Sequence, residues 1–249
     1  MRKGSLIDDV QLYHGDRGPP ICFKNADIRN LLKLGKAGPE DVFFDIGSGW
    51  GQTILIALTE FGVKRAVGFE KDSERWKTAN LRREKWLRQR SDIRPDQWHL
   101  MKADFEKLFK TGTIAGESLK DATLIFYGLT TSSDILRAIK KAWKGTEGRR
   151  LLYYHNCLFP EILPSKVDQP FFVSKFPFTR PMSEEEWLTI ICGKRTSSLI
   201  KGGRASKQEL WDELSHDYDL DLNQDDIGYY KGKVTSSVKR RMELGSAEF

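Results

Sequence analysis

Apolar residues fall in short runs separated by longer amphipathic stretches. "DVFFDI" (41–46) lies between Pro39 and a glycine cluster, as expected of a strand buried on both faces. "GQTILIALTEFG" follows with Ile54, Leu55, Leu58 and Phe61 at helical spacing and Gly62 placed to end the helix. "KRAVGFE" (64–70) is the next short run. "DSERWKTANLRREKWLRQR" then has neither proline nor glycine and repeats Trp76, Ala79 and Trp86, which predicts a helix. "WHLMKAD" (98–104), "DATLIFYG" (121–128) and "RRLLYYHN" (149–156) are further strand-like runs, and "SSDILRAIKKAWKG" is an amphipathic helix capped near Ser132 or Ser133. Strands alternating with helices imply right-handed crossovers and a mostly parallel sheet. "PFFVSKFPF" and "EEWLTIICGKR" come without a long helix between them and predict a terminal hairpin with an antiparallel strand.

Gly202 and Gly203 mark a boundary, after which "SKQELWDEL" has the capping-box pair Ser206 and Glu209 ahead of an apolar run. The expected organisation is an N-terminal loop and helix over 1–40 and a main domain over 41–200. A helical extension with a basic tail follows over 201–242, and "ELGSAEF" (243–249) reads as a cloning scar.

Composition changes this picture little. Among 249 residues 39% are hydrophobic and 31% charged, ordinary for a globular chain. No run approaches the roughly 20 apolar residues of a membrane span and no secretory signal opens the sequence, so a cytoplasmic location and no membrane partner are expected. Cys22, Cys157 and Cys192 are three and scattered, which suits free thiols better than disulfides or a zinc cluster. The four histidines are dispersed, and no metal is expected. The net charge of +6 permits a nucleic-acid or chromatin partner. The helix over 73–90, with seven basic residues, and "VKRRM" near the end are the candidate contacts, although a solvated outer face explains the helix at least as well.

The chemistry gathers at "VFFDIGSGWGQ" (42–52), where Gly47, Gly49 and Gly51 follow Asp45 at a strand end. In open α/β sheets ligands bind at the carboxyl ends of central strands, and glycines let backbone N–H groups approach a ligand closely. The spacing is D-x-G-x-G-x-G, not the dinucleotide G-x-G-x-x-G, and no Walker lysine follows. It favours a ligand with a positive amino group. Glu70 ends the next strand and is placed to accept ribose hydroxyls. Asp104 ends the one after and could accept from an adenine amino group, with Phe105 beside the ring.

Acids at three successive strand ends, with the glycine loop, resemble the seven-stranded S-adenosylmethionine-dependent methyltransferases over about residues 40–195. The resemblance implies a Rossmann-like, mostly parallel sheet with helices on both faces, and S-adenosyl-L-methionine as cofactor. "QLYHGDRGPPICFKNADIRNLLKLGKAGPEDVFFDIGSGWGQ" with "AVGFEKD" is more specifically similar to chromatin lysine methyltransferases of the disruptor-of-telomeric-silencing type, in a minimal form. It places Tyr13 and Gly15, then Asp45, Gly47, Ser48, Gly49, Gly51, Gln52, Glu70 and Lys71, in that family's roles. His14, Asp16 and the Phe126-Tyr127 pair depart from its pattern. The implied activity is methyl transfer to lysines of basic, chromatin-type proteins, with Tyr13 and Tyr127 shaping the acceptor channel. Phe126 and Tyr154 are further channel candidates that read equally well as sheet core. The strand ending Phe126-Tyr127-Gly128-Leu129 lacks the Asn-Pro-Pro-aromatic signature of enzymes methylating amide or adenine nitrogens. An RNA or small-molecule methyltransferase and a non-catalytic nucleic-acid-binding module remain the alternatives.

Overall fold

A computed structural model describes residues 23–128, 133–154, 162–168 and 171–182. Tyr13, His14 and Gly15, the Ser132 cap, the "EEWLTIICGKR" segment, the 201–242 extension and 243–249 all lie outside the described residues. The chain divides into two compact units, one of residues 1–158 and 164–177 and the other of 159–163 and 178–249. In the described part of the second, the Leu163 amide donates to the Arg180 carbonyl at 3.0 Å and the Thr179 hydroxyl to the Leu163 carbonyl at 3.2 Å.

The first unit begins with α1 (Asn25–Leu34), β1 (Val42–Ile46), α2 (Gln52–Glu60), β2 (Arg65–Glu70) and α3 (Ser73–Gln89). It continues with β3 (Trp98–Lys102), α4 (Phe105–Thr111), a small hairpin of β4 (Thr113–Ile114) and β5 (Glu117–Ser118), β6 (Leu124–Tyr127) and α5 (Ser133–Ala142). β7 (Arg150–Tyr154), β8 (Lys166–Asp168) and β9 (Phe171–Lys175) complete it. The main sheet has seven strands in the order β3-β2-β1-β6-β7-β9-β8. β1, β2, β3, β6 and β7 pair in parallel, and β9 runs antiparallel to both β7 and β8. The expected antiparallel strand is β9. Its hairpin partner among the described residues is β8, an exposed three-residue strand too short and polar to stand out in the sequence. α4 and the β4–β5 hairpin were likewise not expected, since seven-residue and two-residue elements are below the length that periodicity resolves.

Alternation along the strands divides the core. Phe43, Ala66, Leu124, Phe126 and Leu152 face a cluster built with Ile28, Leu31 and Leu32 of α1 and Ile54, Leu55 and Leu58 of α2. Tyr127, on the other face, meets Phe105 and Phe109 of α4. α1 therefore belongs to the packed core and is not a separable N-terminal piece: its three buried residues contribute roughly 1.5–3 kcal/mol each by leaving water.

At the amino ends of the strands, Arg150 pairs with the buried Asp41. Its Nη1 also donates to the Gly35 carbonyl at 3.0 Å and the Lys36 carbonyl at 2.8 Å, just past the end of α1. Asp41 additionally accepts from the Thr123 hydroxyl at 2.7 Å and the Gly38 amide at 2.9 Å. One buried ion pair thus joins α1, β1, β6 and β7.

Candidate active site

β1 and β2 run in register, Asp45 beside Gly68 and Ile46 beside Phe69. Asp45 and Glu70 consequently leave the sheet on the same face, at its carboxyl edge, and both are buried, 2% and 7% exposed. The chain turns sharply between β1 and α2, with the Gly47 and Ser48 amides donating to the Phe69 carbonyl at 2.9 and 3.0 Å. Gly47, Gly49 and Gly51 have φ of 84°, 53° and 75°, a region that side chains rarely adopt. The three glycines are thus a backbone requirement. At Gly49 a Cβ would meet nothing within 4 Å, so this part of the loop faces open space.

The Glu70 carboxylate stitches the site together: Oε2 accepts from the Gly49 amide at 2.8 Å and Oε1 from the Asp72 amide at 2.7 Å. Each oxygen keeps a lone pair for a ligand hydroxyl. Asp45 is in the opposite condition. Its Oδ2 is buried with no hydrogen-bond partner. Burial, then the neighbouring Glu70 charge, push its carboxyl up to about 7, and a hydrogen bond with Thr53 only partly offsets this. Two buried acids side by side with one oxygen unsatisfied call for a cation or a strong donor between them.

Gly68 makes the packing possible, since a Cβ there would lie 2.6 Å from Ser48 Oγ and 2.8 Å from Ser48 Cβ. Gly68→Ala should push Ser48 and the glycine loop outward, costing about 1–3 kcal/mol in a denaturant titration. Affinity for a ligand of this loop should fall with it, roughly tenfold.

The remaining expected residues spread around this centre. Asp104 caps α4, accepting from the Glu106 amide at 3.1 Å, and pairs with Lys71, which holds its carboxyl below the usual range. Both side chains are open to solvent at the rim, 37% and 42% exposed. Phe105 and Phe109 stand edge-on to Tyr127, with ring centroids at 6.5 and 6.3 Å. Tyr127 itself is buried. Phe126 and Tyr154 pack with Phe23, at 5.7 and 5.0 Å, on the opposite face. Phe126 is sheet core, and Tyr154 is a half-buried ring packed against it.

Gln52 bridges helices: its Nε2 donates to Asn25 Oδ1 at 2.9 Å and its Oε1 accepts from Arg82 at 2.6 Å. Arg82 also donates to the Trp50 carbonyl, and Arg83 to the Trp98 and Pro95 carbonyls. The basic face expected on α3 is therefore only partly a surface. Spacing from Ala79 and Trp86 puts positions 82 and 83 on the inward side, a signal that the charge run obscured. Lys77 pairs with Glu74, Arg88 with Glu84, and Arg90 with Asp92 just past the helix. By contrast Lys140, Lys141 and Lys144, in and after α5, are exposed and form no ion pair among the described residues. No described helix is long and apolar enough to cross a membrane.

Residues 25–126 match the family described as histone methylation protein DOT1. A protein-lysine N-methyltransferase of Saccharolobus islandicus (strain REY15A) is 38% identical over 52 residues, which are 21% of this chain and 32% of that protein. The match thus spans about a third of the relative's length. An RNA methyltransferase from Salinibacter ruber, crystallised with S-adenosyl-L-homocysteine, superposes with a TM-score of 0.51 at 20% identity, covering 66% of this chain and 98% of the other. The fold is the Rossmann-like, seven-stranded methyltransferase fold.

Proposed function

We propose that this chain is an S-adenosylmethionine-dependent methyltransferase that modifies lysine side chains of basic, chromatin- or nucleoid-type proteins. The observation that carries the cofactor reading is the Asp45–Glu70 pair beside an open, left-handed glycine loop. The unsatisfied Asp45 oxygen suits the ammonium of the methionine moiety and Glu70 the ribose hydroxyls. Gly47, Ser48, Gly49, Gly51 and Gln52 line the amino-acid end, and Lys71, Asp104 and Phe105 bound the adenine end. The lysine reading is supported by the family match over 25–126 and by the short stretch shared with a lysine methyltransferase.

When bound, the cofactor supplies an electrophilic methyl on a sulfonium. That methyl would pass to lysine Nζ, with the C–S bonding pair kept by sulfur. The protein's share is alignment and a neutral amine. Lysine ordinarily titrates near 10.4, and a poorly hydrated aromatic channel lowers this by disfavouring the charged form. Tyr13 and Tyr127 are assigned to that channel, with Phe105 and Phe109 fixing the Tyr127 ring from behind. The proton of the amine passes to solvent.

The exposed lysines in and after α5 favour a polyanionic partner nearby, and they sustain the alternative that the acceptor is RNA. The protein, methyl-labelled S-adenosylmethionine and a lysate split into protein, RNA and small-molecule fractions separate the readings. Lysine transfer predicts methyl-lysine in acid hydrolysates of the protein fraction, absent with Gly49→Arg. Label confined to RNase-sensitive material would sink it.

A further inference from the structure

Arg82 lies on α3, yet both of its terminal nitrogens face the turn between β1 and α2. Nη1 donates to the Trp50 carbonyl at 3.2 Å and Nη2 to Gln52 Oε1 at 2.6 Å. Burial pulls the guanidinium below its ordinary range, although it stays charged at any physiological pH. A guanidinium has donors and no acceptor, so Gln52 must present its oxygen to Arg82 and its NH2 group to Asn25 Oδ1. Asn25 takes one hydrogen of that NH2 group, and the group has a second to donate. Trp50 lies between Gly49 and Gly51, both left-handed, so holding its carbonyl fixes the Trp50–Gly51 peptide that leads into the second left-handed position.

From this geometry we propose that Arg82 is a positioning residue for the cofactor. It locks the Trp50 carbonyl and the Gln52 amide in the one arrangement that leaves the Gly49 amide on Glu70 and a Gln52 N–H for the carboxylate end of a bound amino acid. The inference rests on S-adenosylmethionine being the ligand of this site. It adds that the loop is not self-supporting: α1 and α3 hold it through Asn25, Gln52 and Arg82. A lysine cannot replace the arginine, because a single ammonium does not span a carbonyl and an amide oxygen in one plane.

The test titrates S-adenosylhomocysteine calorimetrically into wild type, Arg82→Lys and Arg82→Ala, with thermal melts of the ligand-free proteins. The expected result is a loss of affinity of roughly tenfold in Arg82→Lys and more in Arg82→Ala, converting to about 1.4 kcal/mol per tenfold. Melting of Arg82→Lys should be close to wild type, and millimolar guanidinium should restore part of the Arg82→Ala affinity. A merely structural arginine would not give that rescue. If Arg82→Lys binds as wild type does, or if guanidinium leaves a folded Arg82→Ala unchanged, the proposal is wrong. Absence of binding by wild type itself would instead overturn the cofactor reading.

Discussion

Asp45→Asn should make the ligand-free protein more stable at pH 8 while abolishing its affinity for S-adenosylhomocysteine. The Asp45 carboxyl is raised from 3.8 to about 7 in the fold. An acid whose folded value lies above its unfolded value contributes stability that is complete below the unfolded value. That contribution is lost as pH rises through the folded one. Between pH 4 and 7 the ligand-free protein should therefore lose up to about 4 kcal/mol, at 1.36 kcal/mol per unit. Asparagine removes this penalty, because it carries no charge to desolvate beside Glu70. Denaturant titrations of both proteins at pH 5 and 8 check it. The wild type should be the weaker of the two at pH 8, and the gap should be less than half as large at pH 5, vanishing only below the unfolded value. A ligand ammonium reverses the sign by favouring the ionised carboxylate, so wild-type affinity should rise toward pH 7. It should fall again at alkaline pH, as the ligand's amino group loses its proton. Stability in the empty state is thus given up for a site that binds a cation. An Asp45→Asn protein no more stable at pH 8 would show that the burial does not cost what the geometry implies.

The second large effect lies at the other end of the sheet. Arg150→Met should destabilise the protein by about 3 kcal/mol. Breaking a buried pair typically costs about 3–5 kcal/mol, and the Arg150 side chain is 20% exposed, which favours the lower figure. The cost arises because Asp41 keeps its burial but loses its counter-charge, and the Gly35 and Lys36 carbonyls lose their donor. Ligand affinity measured on the folded variant should be unchanged, because the pair sits at the amino ends of the strands. Equilibrium unfolding and a ligand titration on the same preparation separate the two effects.

The β1–glycine loop–α2 stretch was legible in the sequence because every local signal there agrees. An apolar strand, three glycines whose angles need no side chain, and a helical period follow in sequence. Asp45 and Glu70 were legible for the same reason, since each ends a strand whose length the apolar run defines. What stayed hidden depends on tertiary contact. The raised Asp45 carboxyl follows from Glu70 lying beside it, and only the β1–β2 register makes them neighbours. Arg82 and Arg83 were hidden in a charge run, and the hydrogen-bond partners that turn them inward come from distant segments. Tyr127 was visible as an aromatic at a strand end. Its packing against Phe105 and Phe109 required α4, a seven-residue helix too short for periodicity to reveal.

S-adenosylmethionine binding is proposed at the carboxyl ends of β1, β2 and β3. Its most direct test is calorimetric titration of the purified protein with S-adenosylhomocysteine at pH 7, with Gly49→Arg in parallel. One-to-one binding is expected of the wild type and none of a folded Gly49→Arg, whose side chain would fill the open space before the loop. A folded wild type that binds nothing at millimolar ligand, or a Gly49→Arg protein that binds as well, would contradict it.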